Sequence, residues 1–561
     1  MAYFALKAVG PQWSFVGPIP TKPYPNLISE RRSRMPKKYY ITTPLYYVNS
    51  RPHIGHSYTQ VACDTVARFL RQGARDVFFM TGTDEHGEKI EKATIAAGLK
   101  EGEEQKFVDG IVPVFKDLWK KLNIKYDHFI RTTDEYHIKT VQAILDRLHK
   151  DGKIYKKDYK GWFCTPCETF WTQTQSPDGI CPECKRPLEK LDESNYFLKT
   201  SEHQKWLIDY INNNPGFIKP DFRKNEVLGF LKNEELMDLC VTRPKARMSW
   251  GIEVPFDKDY VTYVWFDALV NYISGIGYPH NMGKFAQAWP ADAHVIGKDI
   301  LRHHAVYWTI MLHALGIELP KTIFAHGWWV MKGEKMSKSK GNVVDPIDII
   351  SRFGVDPYRY FLLREVQFGM DGTFSEEAIV TRYNSDLAND IGNLLSRTLT
   401  MADKYFAGAV PDISDIKIAN PAAEEIKAKA LEAAREMESL IPNFDFAAAL
   451  VKIWEVIGLA NKFIENSKPW TLAKEKKEGE LALVIYTLLE ALRIVAIEIY
   501  PFMPETSENM LTQLGVKGKT DNLFSNAKVW GKLAVGTKVS KSGPLFPRID
   551  TKEKIGTVPG P

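Results

Sequence analysis

One run near the amino terminus decides the fold class. Tyr39 to Val48 reads YYITTPLYYV, β-branched and aromatic throughout, the composition of a buried strand. Asn49-Ser50-Arg51-Pro52 then makes a turn. From Ile54 the spacing becomes helical, through Tyr58, Val61, Thr65 and Phe69, and Gly73 ends it. Val77 to Met80 (VFFM) is a second short strand, opening into the polar run Thr81-Gly82-Thr83-Asp84-Glu85-His86-Gly87. Strand, helix, strand predicts a parallel, Rossmann-like α/β sheet. Such sheets bind ligands beyond the carboxyl ends of their strands, where this chain concentrates polar residues.

The 561 residues suffice for three or four domains with cores of their own. A net charge of +5 neither demands nor excludes a nucleic-acid partner, because a basic groove can hide in a nearly neutral total. The most apolar stretch, Leu481 to Tyr500, is interrupted by Glu490, Arg493 and Glu498, so it reads as a bundle helix and not a membrane span. Six cysteines cannot staple a chain of this length; four of them form two Cys-x-x-Cys pairs, which points to metal in a reducing, cytoplasmic compartment. Residues 1–36 form an amino-terminal extension, expected to be disordered, with Arg31, Arg32 and Arg34 and the single acid Glu30. A transit peptide, a leader and an over-long start all fit it.

Beyond the first strands, the composition turns to cysteine, proline and lysine from about residue 150, and α/β patterning returns at Asp238-Leu239-Cys240-Val241. An aromatic segment (Tyr260 to Tyr272), a helix (Asp299 to Leu315) and a strand (Thr322 to Ala325) precede His326-Gly327. After about 375 the expectation is helical: Glu376–Tyr405, Pro421–Leu440, Phe446–Asn466 and Glu480–Tyr500. The predicted division is a first catalytic half at 37–149, an insertion at 150–235, a second half at 236–330, a lysine-loop region at 331–375, an α-helical bundle at 376–530 and a linker or tail at 531–561.

Two stretches are suited to phosphates. His53-Ile54-Gly55-His56 sits at a helix start, where free N–H groups and the helix dipole favour anions. His53 and His56 share one face of that turn, and Gly55 leaves the backbone open to a base or ribose. About 280 residues later, Lys335-Met336-Ser337-Lys338-Ser339 puts two lysines on a small hydroxyl-rich loop after a strand. Taken singly, satisfied core histidines and a solvated basic loop are the plainer readings. Rival nucleotide motifs fail. Gly518-Lys519-Thr520 has Gln513 where a phosphate-binding loop needs glycine, and Gly275-Ile276-Gly277 has His280 in place of a third glycine.

In this order and separation the two stretches resemble the signature pair of class I aminoacyl-tRNA synthetases. TTPLYYVNSRPHIGH (42–56), TGTDEHG (81–87), YVWFDALVNY (263–272), VIGKDILRHH (295–304) and MKGEKMSKSKGNVVDP (331–346) narrow the resemblance to the methionyl-tRNA synthetases, from about residue 38 to 530. The resemblance implies ATP-dependent ligation of L-methionine to tRNA(Met) through a methionyl-adenylate, releasing AMP and pyrophosphate. ATP would meet His53, Gly55, His56, Lys335, Ser337 and Lys338 and would bring Mg²⁺. His53 and His56 would donate to phosphate oxygens, with Lys335 and Lys338 completing the catalytic set and Lys338 neutralising the leaving pyrophosphate. Methionine would lie among Leu45, Tyr47, Trp265, Tyr272, His304 and Trp308, with Asp84 holding its ammonium. Thioether sulfur packs well on aromatic rings.

Cys164-Thr165-Pro166-Cys167 and Cys181-Pro182-Glu183-Cys184 lie thirteen residues apart, a spacing that can close a tetrahedral Cys₄ zinc site; disulfides or redox chemistry are the other reading. Four sulfurs leave no open position, so one structural Zn²⁺ is expected, in agreement with the family's inserted knuckle. Cys63 and Cys240 lie in apolar stretches as inert thiols. In the helical half, Asn393, Arg397 and Trp470 match positions that read the methionine anticodon, while a solvated Asn/Arg face and a packing Trp are the alternative. No appended dimerisation domain is seen, so a monomer is expected. Another class I synthetase, such as a cysteinyl one, and a non-catalytic synthetase-like RNA-binding protein are the competing functions.

Overall fold

The structure, a computed structural model, describes residues 38–164, 169–171, 176–182, 185–331, 334–335, 344–516 and 523–550. Strand β1 (Tyr39–Tyr47) leads into helix α1 (Ile54–Gln72), which Gly73 ends. Strands β2 (Val77–Asp84) and β3 (His128–Arg131) follow. The insertion is built on two long antiparallel strands, β4 (Ile154–Cys164) and β5 (Glu189–Leu198), in register from Ile154↔Leu198 to Phe163↔Glu189. The chain then returns through β6 (Ile218–Lys219), helix α2 (Val264–Ser274), β7 (Ala293–Gly297) and β8 (Ile323–His326).

The main sheet is six-stranded, in the order β3-β2-β1-β7-β8-β6, and every pairing is parallel. Its strand order reverses between β1 and β7, the place where open α/β sheets form a crevice. Sequence sets the opening. β1 pairs with β7 only at Ile41↔Ala293 and Thr42↔His294, and its register against β2 shifts between Thr42 and Leu45. Pro44 lies within that shift and has no N–H to donate to a ladder. Leu45 to Tyr47 therefore leave β7 and line a gap.

The carboxy-terminal half is helical: α3 (Val355–Arg364), α4 (Asn393–Phe406), α5 (Phe446–Ser467) and α6 (Glu478–Ile499), with Pro421–Leu440 and shorter helices between. α5 buries Phe446, Ala449, Leu450, Ile453, Val456, Ile457 and Ala460, the stripe of a core-facing helix. α6 is buried along nearly its whole length. Its charges are accommodated individually. Arg493 pairs with Glu490 at 2.6 Å, and burial pushes the Glu498 carboxyl well above the usual range. Among the described residues, no helix is long and apolar enough to cross a membrane.

The structure departs from the sequence-based expectation at three places. Asp299 to Leu315 is not one α-helix: Lys298–Ile300 is a 3₁₀ turn, His303–Trp308 a π turn, and Thr309–Ala314 the α-helix. The Thr309 hydroxyl donates to the His304 carbonyl, five residues back, at 3.1 Å. Likewise Tyr383–Gly392 is a π segment between Glu376–Arg382 and α4, and a Cβ added at Gly392 would come within 2.9 Å of the Leu387 carbonyl oxygen. Residues 531–550, expected as a linker or tail, dock on the bundle: Leu533, Val539 and Phe546 are buried, and Glu490 accepts from the backbone of Gly531, Lys532 and Leu533.

One buried cluster joins the two halves. Asp64 of α1 binds Arg68 at 2.6 Å and Arg359 of α3 at 2.7 Å, all inside the protein. Arg359 also donates to the carbonyls of Leu122, Pro501 and Phe502 at 2.8–3.1 Å, and Gln72 donates to Ile497. Burial opposes charge on Asp64, but the two guanidiniums outweigh it and hold the carboxyl below its usual range.

Candidate active site

A cavity of about 370 Å³ opens at the carboxyl ends of β1 and β7. Of the sequence-predicted site residues, Leu45, Tyr47, His53, Gly55, His56, Asp84, Trp265, Tyr272 and His304 line it. Five different elements supply them, β1, α1, β2, α2 and the turn His303–Trp308, so the grouping is a property of the fold.

The start of α1 is locked by its own histidines. Gly55 N–H donates to His53 Nδ1 at 3.1 Å, and His53 N–H donates to His56 Nδ1 at 3.1 Å, a reciprocal cap. The rings stack with centroids 3.9 Å apart. Burial, then the neighbouring His53, lowers the His56 pKa well below the ordinary imidazole value, so it is neutral. A neutral ring that accepts at Nδ1 carries its proton on Nε2. Both rings are thus donors through Nε2. A Cβ on Gly55 would meet His53 Cε1 at 3.0 Å, so any larger residue pushes the ring aside.

Across the cavity, Tyr272 and His304 hydrogen-bond at 2.7 Å. His304 Nδ1 lies 2.9 Å from the Ile300 carbonyl, which can only accept; Nε2 therefore accepts from the Tyr272 hydroxyl. Burial pushes the His304 pKa down to about 4. Tyr272 stacks on His294, centroids 4.1 Å apart. Trp308, expected to line this pocket, is fully buried behind it instead, 5.8 Å from the Tyr272 ring, donating to His294 Nε2 at 3.4 Å. The indole packs behind Tyr272 and is not part of this cavity's lining. Tyr47 donates to the His86 carbonyl at 2.8 Å. Asp84 ends β2 and is buried at the cavity wall.

Sequence reasoning passed over the groups that hold these walls. Asp267 of α2, between Trp265 and Tyr272, takes His86 on one oxygen and His137 on the other, each at 2.7 Å. Burial opposes its charge, but the two imidazoles keep its carboxyl below the usual range. His326 bonds Thr59 of α1 at 2.7 Å and ties β8 to that helix. Asp267 and His86 lie inside the quoted blocks; nothing in their spacing says that they meet.

The other predicted sites fall elsewhere. Lys335 lies in a two-residue strand, its backbone opposite Val330 in a hairpin that leaves the cavity at Trp328 and Trp329. Ser337 and Lys338 lie outside the described residues, as do Cys167 and Cys184. Cys164 and Cys181 are buried in one small cluster with Trp171 and Leu188. The Cys181 carbonyl accepts from the Lys185 N–H at 2.9 Å, and Lys185 itself has a φ of 61°. Among the described residues no three metal-ligating side chains converge. In the bundle, Asn393 starts α4, Arg397 pairs with Glu465 at 2.7 Å, and Trp470 is 45% exposed five residues beyond that glutamate. Cys63 and Cys240 are buried, and burial raises both thiols.

Comparison with known proteins agrees along nearly the whole chain. The family described as tRNA synthetases class I (M) matches residues 39–193 and 187–399, and the anticodon binding domain of methionyl tRNA ligase matches residues 413–556. The methionine–tRNA ligase of Caldanaerobacter subterraneus subsp. tengcongensis is 49% identical over 93% of this chain and 81% of its own length. That of Clostridium tetani is 49% identical over 92% and 80%. The Mycobacterium tuberculosis methionyl-tRNA synthetase in complex with methionyl-adenylate superposes with a TM-score of 0.86 at 40% identity, over 91% of this chain and all of that one.

Proposed function

The chain belongs to the class I methionyl-tRNA synthetases and ligates methionine to tRNA at the expense of ATP; from that premise we propose how its cavity divides the work. The observation that carries the reading is one cleft with two unlike walls: neutral Nε2–H donors at the start of α1, and an aromatic wall with a buried carboxylate.

ATP, as its Mg²⁺ complex, sits against α1, with its base or ribose over Gly55 and its phosphates toward His53, His56, Lys335, Ser337 and Lys338. Methionine lies against Leu45, Tyr47, Trp265, Tyr272 and His304, with its ammonium on Asp84. Trp308 acts through the Tyr272 ring. The methionine carboxylate is already an ionised nucleophile. It attacks the α-phosphorus in line and pyrophosphate leaves, so the side chains supply positioning and charge stabilisation. The 2′-hydroxyl of the terminal tRNA adenosine then takes the methionyl group and AMP departs. Asn393, Arg397 and Trp470 read the anticodon of tRNA(Met), and the enzyme works in the cytoplasm.

The insertion's cysteines fit zinc, because two of them are buried together in one small cluster. Cys164, Cys167, Cys181 and Cys184 would hold it, and a Cys₄ site supplies cross-linking of the insertion and no open coordination position.

Amino-acid-dependent ATP–pyrophosphate exchange tests the reading. Exchange with methionine and not with cysteine is expected; exchange driven by cysteine, or by neither, overturns it.

A further inference from the structure

A second cavity, of about 260 Å³, lies where the insertion meets the catalytic half. Tyr155, Lys157 and Tyr159 alternate along β4 and so share one face of that strand. Phe197, directly opposite Tyr155 in the ladder, adds a third ring, 6.2–6.3 Å from both tyrosines. The neighbouring lysines of the opposite face, Lys156 and Lys160, are taken by Asp257 and Asp192. Lys157 lines the cavity instead, with the acids Glu235 and Asp238 also on its lining, Asp238 accepting from the Tyr155 hydroxyl at 2.7 Å.

Two lining residues carry hydrogen-bonding atoms that are satisfied by nothing among the described residues: Trp171 Nε1, on a side chain 8% exposed, and His303 Nδ1. Buried donors and acceptors normally have partners, and leaving one without is costly. A ligand with polar edges and flat faces meets both needs. The His303 ring stacks on Trp265 at 3.8 Å, and Trp265 lines the methionine cleft. The two cavities are thus separated by one pair of stacked rings.

We propose that this second cavity receives a nucleobase from the single-stranded acceptor end of the tRNA. The proposal rests on the function proposed above, which requires the terminal ribose to enter the first cavity, so that nearby nucleotides must lie against its surroundings. Unpaired bases stack on aromatic side chains and offer their edges to hydrogen bonds. Tyr159 and Phe197 supply rings, Trp171 and His303 supply edge partners, and Lys157 supplies a phosphate contact.

The test places 2-aminopurine at each single-stranded acceptor position in turn and follows its fluorescence on the full-length, metal-loaded enzyme. One position should be quenched by wild type and released in Tyr159→Leu and Lys157→Glu, while Tyr159→Phe, which keeps the ring, restores quenching. Charging kcat/KM should fall roughly ten- to a hundred-fold in Tyr159→Leu, as the loss of one base stack predicts. Methionine-dependent exchange should stay within about twofold. Lys157 is exposed, so its variant keeps the test decisive even if Tyr159→Leu folds poorly. Unchanged quenching and charging in Lys157→Glu and Tyr159→Leu overturn the proposal, as does a raised KM for methionine, which would make the space part of the amino-acid site. A wild type inactive in exchange would instead defeat the assigned function.

Discussion

His304 shows what burial does to a single side chain. Its pKa of about 4 lies below the 6.5 of an unfolded histidine. Between those values the unfolded chain binds a proton that the native one does not. Stability therefore rises with pH from about 4 to about 6.5 and is fully present above that, by on the order of 3 kcal/mol. Melting curves across this window should be steeper in wild type than in His304→Gln; parallel curves would mean that the ring is not held neutral. Lys338 poses a different residue-scale question, because only its sequence context speaks for it. Lys338→Ala should slow adenylate formation by about 10²–10³ while methionine binding changes little, the usual cost of losing one stabiliser of developing charge. Unaltered exchange kinetics would remove that role. A place on the cavity lining was legible where a block of neighbours fixed it, as at Asp84 and Tyr272. Trp308 was not, because a helical spacing cannot say that a π turn will set it behind the pocket wall.

At the scale of elements, the first strand, helix and strand were readable because each depends on local spacing alone. Their assembly was not: β6, two residues long, joins the sheet edge far from anything in its own sequence. The insertion makes a testable element. Stripping zinc, or replacing Cys164 and Cys181 by serine, should disorder β4 and β5 while sparing the main sheet, as hydrogen exchange would reveal. Freshly purified protein without zinc, or full zinc retention in the double variant, would refute the knuckle. The junction after α5 makes another. Pro469 is buried while Trp470 is exposed, so the indole is not a packing residue by position. Trp470→Ala should reduce charging roughly ten- to a hundred-fold and leave exchange intact. If wild type and variant discriminate native from altered anticodons equally, the contact does not exist.

For the molecule as a whole, the bundle and the sheet behave as one body because Asp64, Arg68 and Arg359 lie inside the seam between them. Removing one partner of a buried pair typically costs about 3–5 kcal/mol. Arg359→Met should lower the melting temperature and split one calorimetric transition into two; a single unshifted transition would show that the seam is held by apolar packing alone. None of this was visible in the sequence, where Asp64 and Arg359 are 295 residues apart and look like ordinary surface charges. The same seam sets a timetable for synthesis. Helix α1, which presents His53 and His56 to the cavity, leaves the ribosome before its partners, with a carboxylate destined for the interior and one guanidinium beside it. Its second guanidinium, on Arg359, is made 295 residues later, and the carbonyls of Pro501 and Phe502 that fix that guanidinium follow 142 and 143 residues after it. The first half of the nascent chain therefore stays incompletely closed until those later residues have been made: an enzyme of translation whose own closure lags its synthesis.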